Sequence, residues 1–255
     1  MSSDPHFGLS GRTILVTGGT RGIGRAITIR FAEAGAHVIA VFVRNEEAAA
    51  SLTELAGERD LRVETLRADL SRPRGLEAVE QRLAEMDRGL SALVHSAATG
   101  VHKKVHEITT RDIQWTFSLN FEAFILLVNR LLPCFEDGAS ILALTSPGGS
   151  RAVPSYGLVG ASKAALEAVS RQMAAEFASR RIRVNLLCPG AVLTDAWDAM
   201  PEREERLADI RSRTPLGRLV SAEEVAAAAQ FLCSDAASGI TGHRLVVDGG
   251  AEILE

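Results

Sequence analysis

Seven short apolar runs punctuate the chain: TILVTG (13–18), HVIAVFV (37–43), RVETLRAD (62–69), SALVHSA (91–97), SILALTS (140–146), RVNLLCPG (183–190) and HRLVVDGG (243–250). Their length and richness in branched residues predict strands. Helix-length segments lie between them, over 22–34, 46–57 and 75–86. The central runs are nearly continuous in apolar residues, as strands covered on both faces must be. Strict alternation of strand and helix predicts an α/β fold: a doubly wound parallel sheet of about seven strands with helices on both faces. No linker, repeat or low-complexity stretch divides it. The charged segment AWDAMPEREERLADIRSR (196–213) is the one long interruption between a strand and the last helix. It reads as a solvated helical insertion at about 195–215, either a lid over a site at the strand ends or an ordinary exposed helix pair.

Composition narrows the picture. The 255 residues suit one α/β domain, 1–255, with a single continuous core. With 46% hydrophobic and 24% charged residues the chain is a packed protein, not a disordered one. A net charge of −4 offers no clustered positive field for nucleic acid or a membrane surface, so a small molecule is the expected ligand. Cys134, Cys188 and Cys233 are widely spaced and unpaired in pattern, which reads as reduced, buried thiols. The polar N-terminus, and the reading that no apolar run approaches roughly 20 residues, lead to an expected cytoplasmic location with no membrane.

The first strand runs straight into TGGTRGIG (17–24), which opens the first helix. Gly18, Gly22 and Gly24 permit a tight turn, close backbone approach to a pyrophosphate and close helix packing, and the helix N-terminus attracts the anion. Thr20, Arg21 and Ile23 belong to the same loop. The end of the second strand distinguishes NAD from NADP, because an acid there binds the ribose 2′-hydroxyl and repels a 2′-phosphate. Here the expected acid position is Phe42, no carboxylate appears before Glu46, and Arg44 and Arg21 are at hand. Two guanidiniums can clamp a phosphate, so NADPH is the expected cofactor, with a solvated strand-end charge as the other reading of Arg44. Asp69, beside Leu70 at the end of the third strand, can accept from an adenine amino group or cap the next helix.

The series TGGTRGIG, Asp69, VHSAA, Asn120, Ser146, Tyr156, Lys163, CPGAVLT resembles the short-chain dehydrogenase/reductase superfamily over essentially the whole chain. The resemblance implies a single-domain Rossmann fold, a nicotinamide cofactor at the first βα turn, and hydride transfer served by a Ser, Tyr, Lys and Asn set. One spacing departs from the commoner YxxxK pattern: position 159 is valine, and Tyr156, the one tyrosine in the chain, precedes Lys163 by seven residues in YGLVGASK. On a helix, separations of four and seven residues both return to within roughly 40° of one face. The tyrosine root then moves by about 4.5 Å along the axis. In ketone reduction the acid stands beside the carbon that receives hydride. In enoyl thioester reduction hydride goes to the β-carbon and charge develops on a more distant oxygen, so the donor must reach further.

This spacing, with VHSAATG (94–100) and SPGGSRAVPSYGLVGASKAALEA (146–168), is similar to the NADPH-dependent bacterial enoyl-acyl-carrier-protein reductase III type, whereas His95 and Ser96 stand where relatives more often carry asparagines. The resemblance implies reduction of an enoyl thioester on acyl carrier protein or coenzyme A, a place in fatty acid biosynthesis, and a homotetramer. It assigns Tyr156 to the thioester oxygen, Lys163 to the ribose and the phenol, Ser146 to a second hydrogen bond, and Asn120 to a water chain or to local backbone groups. Ser96, Ala97 and Ala98 become cofactor wall, and Pro189, Gly190, Val192 and Thr194 a clamp on the carboxamide, Thr194 also being a candidate helix cap. A carbonyl reductase and a silent cofactor-binding sensor are the rival readings. His102 and His106 share an i, i+4 spacing but lack a third ligand beside Lys103 and Lys104, so no metal is expected. Those two lysines lie near the expected mouth, where they can meet phosphopantetheine or an acidic carrier.

Overall fold

The computed structural model describes residues 7–194 and 203–254. Strands β1 (Thr13–Thr17), β2 (His37–Phe42), β3 (Val63–Arg67), β4 (Leu90–His95), β5 (Phe135–Leu144), β6 (Arg183–Pro189) and β7 (Arg244–Val247) form one parallel sheet ordered β3-β2-β1-β4-β5-β6-β7. The single-domain doubly wound fold expected from the alternation is therefore present. The order reverses between β1 and β4, which are hydrogen-bonded neighbours, and a crevice opens there beyond the carboxyl ends of the strands.

The apolar runs are continuous because both faces are covered. Ile14, Val16, Val94 and Leu142 point to α1 (Gly22–Glu33) and α8 (Ala222–Cys233), where Ile27, Phe31, Val225 and Leu232 receive them. Leu15, Leu93, Ile141 and Val184 point the other way, to α3 (Pro73–Ala84), α5 (Ala123–Leu131) and α6 (Gly157–Glu176), against Val79, Phe124, Leu127 and Leu166. Successive side chains alternate faces, so each strand feeds both layers. Full burial of such a side chain contributes about 1.5–3 kcal/mol.

Several helices begin on side-chain caps: Asn45 accepts from the Ala48 N–H at the head of α2 (Glu46–Glu58), and Thr109 and Ser221 form capping boxes with Asp112 and Glu224 at α4 (Thr110–Phe117) and α8. By contrast, α1 starts at Arg21 and α6 at Tyr156 with no side-chain cap and no acid in the first turn. Their open N–H groups are available to another partner.

The inserted segment is helical where described: α7 spans Arg203–Arg213, and 195–202 lie outside the described residues. One expectation needs correction. The helical run Thr110–Cys134 is long and apolar enough to cross a membrane by length and composition. It comprises α4, a π-helical turn at Ser118–Glu122, α5 and a short 3₁₀ turn, and its Phe124, Leu127, Val128 and Leu131 are fully buried in the layer beneath the sheet, the place of a core helix.

Candidate active site

A cavity of about 1320 Å³ lies over the carboxyl ends of the strands. That exceeds the roughly 300–1,000 Å³ usual for a small-molecule site and leaves room for a dinucleotide with a substrate. Every residue singled out for cofactor or chemistry lines it except Asn120.

At its cofactor end the glycines differ in what they permit. Gly18 has φ +65, and a Cβ there would stand 3.1 Å from the Ala97 backbone. A Cβ on Gly24 would overlap the Gly18 carbonyl oxygen, so any larger residue would push α1 off the turn. Gly22, at φ +50, faces Thr194 Cγ2. A backbone approached this closely, ending on the uncapped N-terminus of α1, fits the pyrophosphate of a dinucleotide. Thr17 Oγ1 pins the opposite wall, accepting from Ser96 N and Ala97 N at 3.1 Å each. Arg21 and Arg44 are exposed on the rim. Glu46, the first carboxylate along the chain after β2, is ion-paired with Arg67. Asp69 Oδ1 accepts from Ser71 N and Ser71 Oγ, and the N-cap of α3 is Arg72, which corrects the capping alternative for Asp69. Thr194 touches the glycine loop, while the residues it was expected to cap begin outside the described range.

At the other end stand Ser146, Tyr156 and Lys163. Tyr156 is the N-cap of α6, with φ −109 and ψ 5, rather than an interior helical residue. The face arithmetic therefore placed it only in outline: its ring rests on Gly148, where any Cβ would collide with Cδ1. Burial pushes the phenol above its ordinary range, and the neighbouring Ser146 hydroxyl works the other way. Ser146 Oγ is itself buried with no partner at hydrogen-bonding geometry, an orphan that a bound oxygen would satisfy. Lys163 is buried and donates to Leu144 O at 2.8 Å. Burial lowers it to about 8, with Cys188 and Glu167 pulling upward.

Asn120 sits in the π-helical turn, fully buried and off the cavity wall. Its Oδ1 accepts from Thr99 N, and Nδ2 donates to Thr99 O and Ser162 Oγ. Both amide protons are thus used in holding the loop after β4 against α6. His95, unexpected at this position, is buried beneath the site. Thr17 already accepts two N–H groups, so its one proton goes to His95 Nδ1 at 3.1 Å, which leaves the ring proton on Nε2. Burial first, and the Lys163 charge second, hold His95 down at about 3.

Sequence reasoning reached α7 as a candidate lid but missed His102, Trp115, Val153 and Pro154 as lining of this cavity. His102 lies against Tyr156, with ring centroids 5.6 Å apart, and Trp115, Val153, Pro154, Ile210 and Arg213 also line the cavity. His102, Val153 and Pro154 come from loops and Trp115 from α4, and no spacing in the sequence links them. Lys103 is paired with Asp112 at 2.8 Å, which braces this loop. Among the described residues no group of three or more His, Cys, Asp or Glu is placed to hold a metal ion.

Comparison with known proteins agrees with this architecture. A family model described as enoyl-(acyl carrier protein) reductase matches residues 18–252. A tropinone reductase homolog of Arabidopsis thaliana is 34% identical over 98% of this chain and 96% of its own, and 1-cyclohexenylcarbonyl-CoA reductase of Streptomyces collinus is 30% identical over 94% and 86%. The structure of a candidate NAD(P)-dependent gluconate 5-dehydrogenase of Beutenbergia cavernae, solved with NADP at low occupancy, superposes with a TM-score of 0.91 at 32% identity, covering 97% of this chain and 99% of that one. The chain belongs to the short-chain dehydrogenase/reductase superfamily and is an oxidoreductase of that NAD(P)-dependent type.

Proposed function

We propose that the protein is an NADPH-dependent reductase of conjugated enoyl thioesters carried on acyl carrier protein or coenzyme A. The observation that carries this reading is the place of Tyr156: at the head of α6, seven residues before a buried Lys163, on the wall of the same cavity. A phenol set one turn further out reaches an oxygen remote from the carbon that receives hydride. The family model's description and the cyclohexenylcarbonyl-CoA reductase among the relatives support the same class.

Bound NADPH supplies the hydride. The glycine loop and the N-terminus of α1 hold its pyrophosphate, Arg21 and Arg44 its 2′-phosphate, Asp69 and Leu70 the adenine side, and Ser96, Ala97, Ala98, Pro189, Gly190, Val192 and Thr194 the nicotinamide side. Tyr156 donates to the thioester oxygen and stabilises the enolate, Ser146 adds a second hydrogen bond, and the Lys163 ammonium favours the charge that develops. Asn120 keeps the loop above them in register. The helix α7 closes over the substrate, since its Asp209, Ile210 and Arg213 line the cavity. A homotetramer in the cytoplasm belongs to the same reading, and light scattering on the eluted protein would return the mass of four chains.

Carbonyl reduction is the second reading, favoured by the tropinone reductase homolog. Following NADPH oxidation at 340 nm with crotonyl and acetoacetyl thioesters side by side separates the two. Turnover of the enoyl compound is expected; turnover of the keto compound alone would overturn the proposal.

A further inference from the structure

We propose that Glu167 is a positioning residue for the reaction: bonded to Thr145 and ion-paired with Arg244, it clamps the chain at the end of β5, next to Ser146, onto α6 and supplies the buried negative charge that keeps Lys163 an ammonium. This rests on the reading of Lys163 as the cation that works beside Tyr156. Glu167 follows Lys163 by four residues, one helical turn along the same face of α6. The two side chains grip consecutive residues: Lys163 Nζ donates to Leu144 O at 2.8 Å, and Thr145 Oγ1 donates to Glu167 Oε1 at 2.6 Å. Ser146 comes next in the chain. Gly149, just beyond it, leaves room for the acid, since a Cβ there would stand 2.9 Å from Glu167 Oε1.

Glu167 is buried, and Arg244 of β7 meets it at 3.4 Å while also holding Glu252 at 3.0 Å. A buried ion pair returns little over apolar side chains of the same volume, so stability alone does not account for an acid in this place. The titratable and charged groups near Lys163 come from four strands and helices. His95 of β4 is neutral down to about 3. Cys188 of β6 accepts from Arg244 at 3.0 Å, and burial pushes its thiol up to about 12. Tyr156, at the head of α6, is raised by burial, and Arg244 of β7 is paired with Glu252 and Glu167. Burial lowers Lys163 to about 8. At that pH the Cys188 thiol is neutral, so Glu167 is the anion that works against burial and sustains the ammonium.

The test reads Lys163 directly in the full-length protein. Lys103, Lys104 and Lys163 are the lysines of the chain, so carbon-13 labelling at Cε yields one resonance for each, and the one that vanishes in Lys163→Arg is its own. In the wild type that resonance should titrate at about 8. A midpoint of about 6, where a buried lysine with no anion beside it titrates, would overturn the proposal. Glu167→Gln keeps the shape and the acceptor for Thr145 and removes the charge. It should bring the midpoint down by about one pH unit or more, and Glu167→Asp, which keeps the charge, should restore most of it. An unchanged midpoint in folded Glu167→Gln, with only the melting temperature lowered, would reduce Glu167 to a structural brace and overturn the proposal. With NADPH and whichever thioester is turned over, the alkaline fall of kcat should move down by the same interval, because a neutral lysine no longer favours the developing charge; a fall that stays in place while the midpoint moves would sever Glu167 from the chemistry. Should neither thioester react, the proposed function fails separately, and the lysine resonance still decides on Glu167.

Discussion

At the scale of single residues, the site depends on which polar atoms already have partners. Ser146 Oγ has none, Asn120 has spent both amide protons, and Glu46 is occupied by Arg67. Replacing Tyr156 by Phe removes the hydroxyl and leaves the ring on Gly148, so kcat should fall by roughly 10²-fold or more while NADPH still binds. Stopped assays with a parallel cofactor titration check both halves, and near-normal turnover would contradict the assignment. Arg44→Ala should weaken NADPH by roughly tenfold or more, the worth of a charged hydrogen bond, and leave NADH nearly untouched. Equal losses for the two cofactors in the same titration would defeat the 2′-phosphate argument. The spacing of Tyr156 and Lys163 was legible in the sequence; the partnerships of Asn120 and Glu46 were not, because each is made with a residue from a different element or loop.

At the scale of elements, recognition of strands and helices followed burial. Runs covered on both faces, such as β1 and β4, read directly as apolar segments. The fifth strand begins at Phe135, five residues before the apolar run that announced it, because Glu136, Asp137 and Gly138 are exposed there and carry no apolar signal. The Leu90/Ala92 register shift lies beside this same stretch. The heads of α1 and α6, which carry no side-chain cap, border the cavity. Gly24 joins α1 to the first turn at a distance that admits no side chain. Gly24→Val should abolish measurable NADPH binding and lower stability by about 1–3 kcal/mol through overpacking; calorimetry with and without cofactor reads both, and wild-type cofactor binding would show the close approach to be dispensable.

At the scale of the whole molecule, stability carries a pH signature centred under the site. His95 is held neutral at about 3 in the fold, against about 6.5 in an unfolded chain. Between those values the unfolded state binds a proton that the native state refuses, so this contribution is complete above about 6.5 and is lost progressively as pH falls toward 3. The melting temperature should therefore drop on acidification through that window, and His95→Asn should flatten the slope. Parallel slopes in wild type and variant would refute the account. The effect is global because Thr17, His95 and the backbone of Ser96 and Ala97 join β1 to β4 where the strand order reverses.

The sequence by itself determined the layered α/β architecture, the glycine turn, the missing acid after β2 and the Tyr, Lys and Ser positions, because each is written in local spacing or in the repeat of apolar residues. The tertiary structure alone decided that Tyr156 stands at the head of its helix rather than within it, that Asn120 braces a loop, and that His102 meets the phenol ring. Those outcomes depend on contacts between segments far apart in the chain, where distance in space carries no trace in residue spacing.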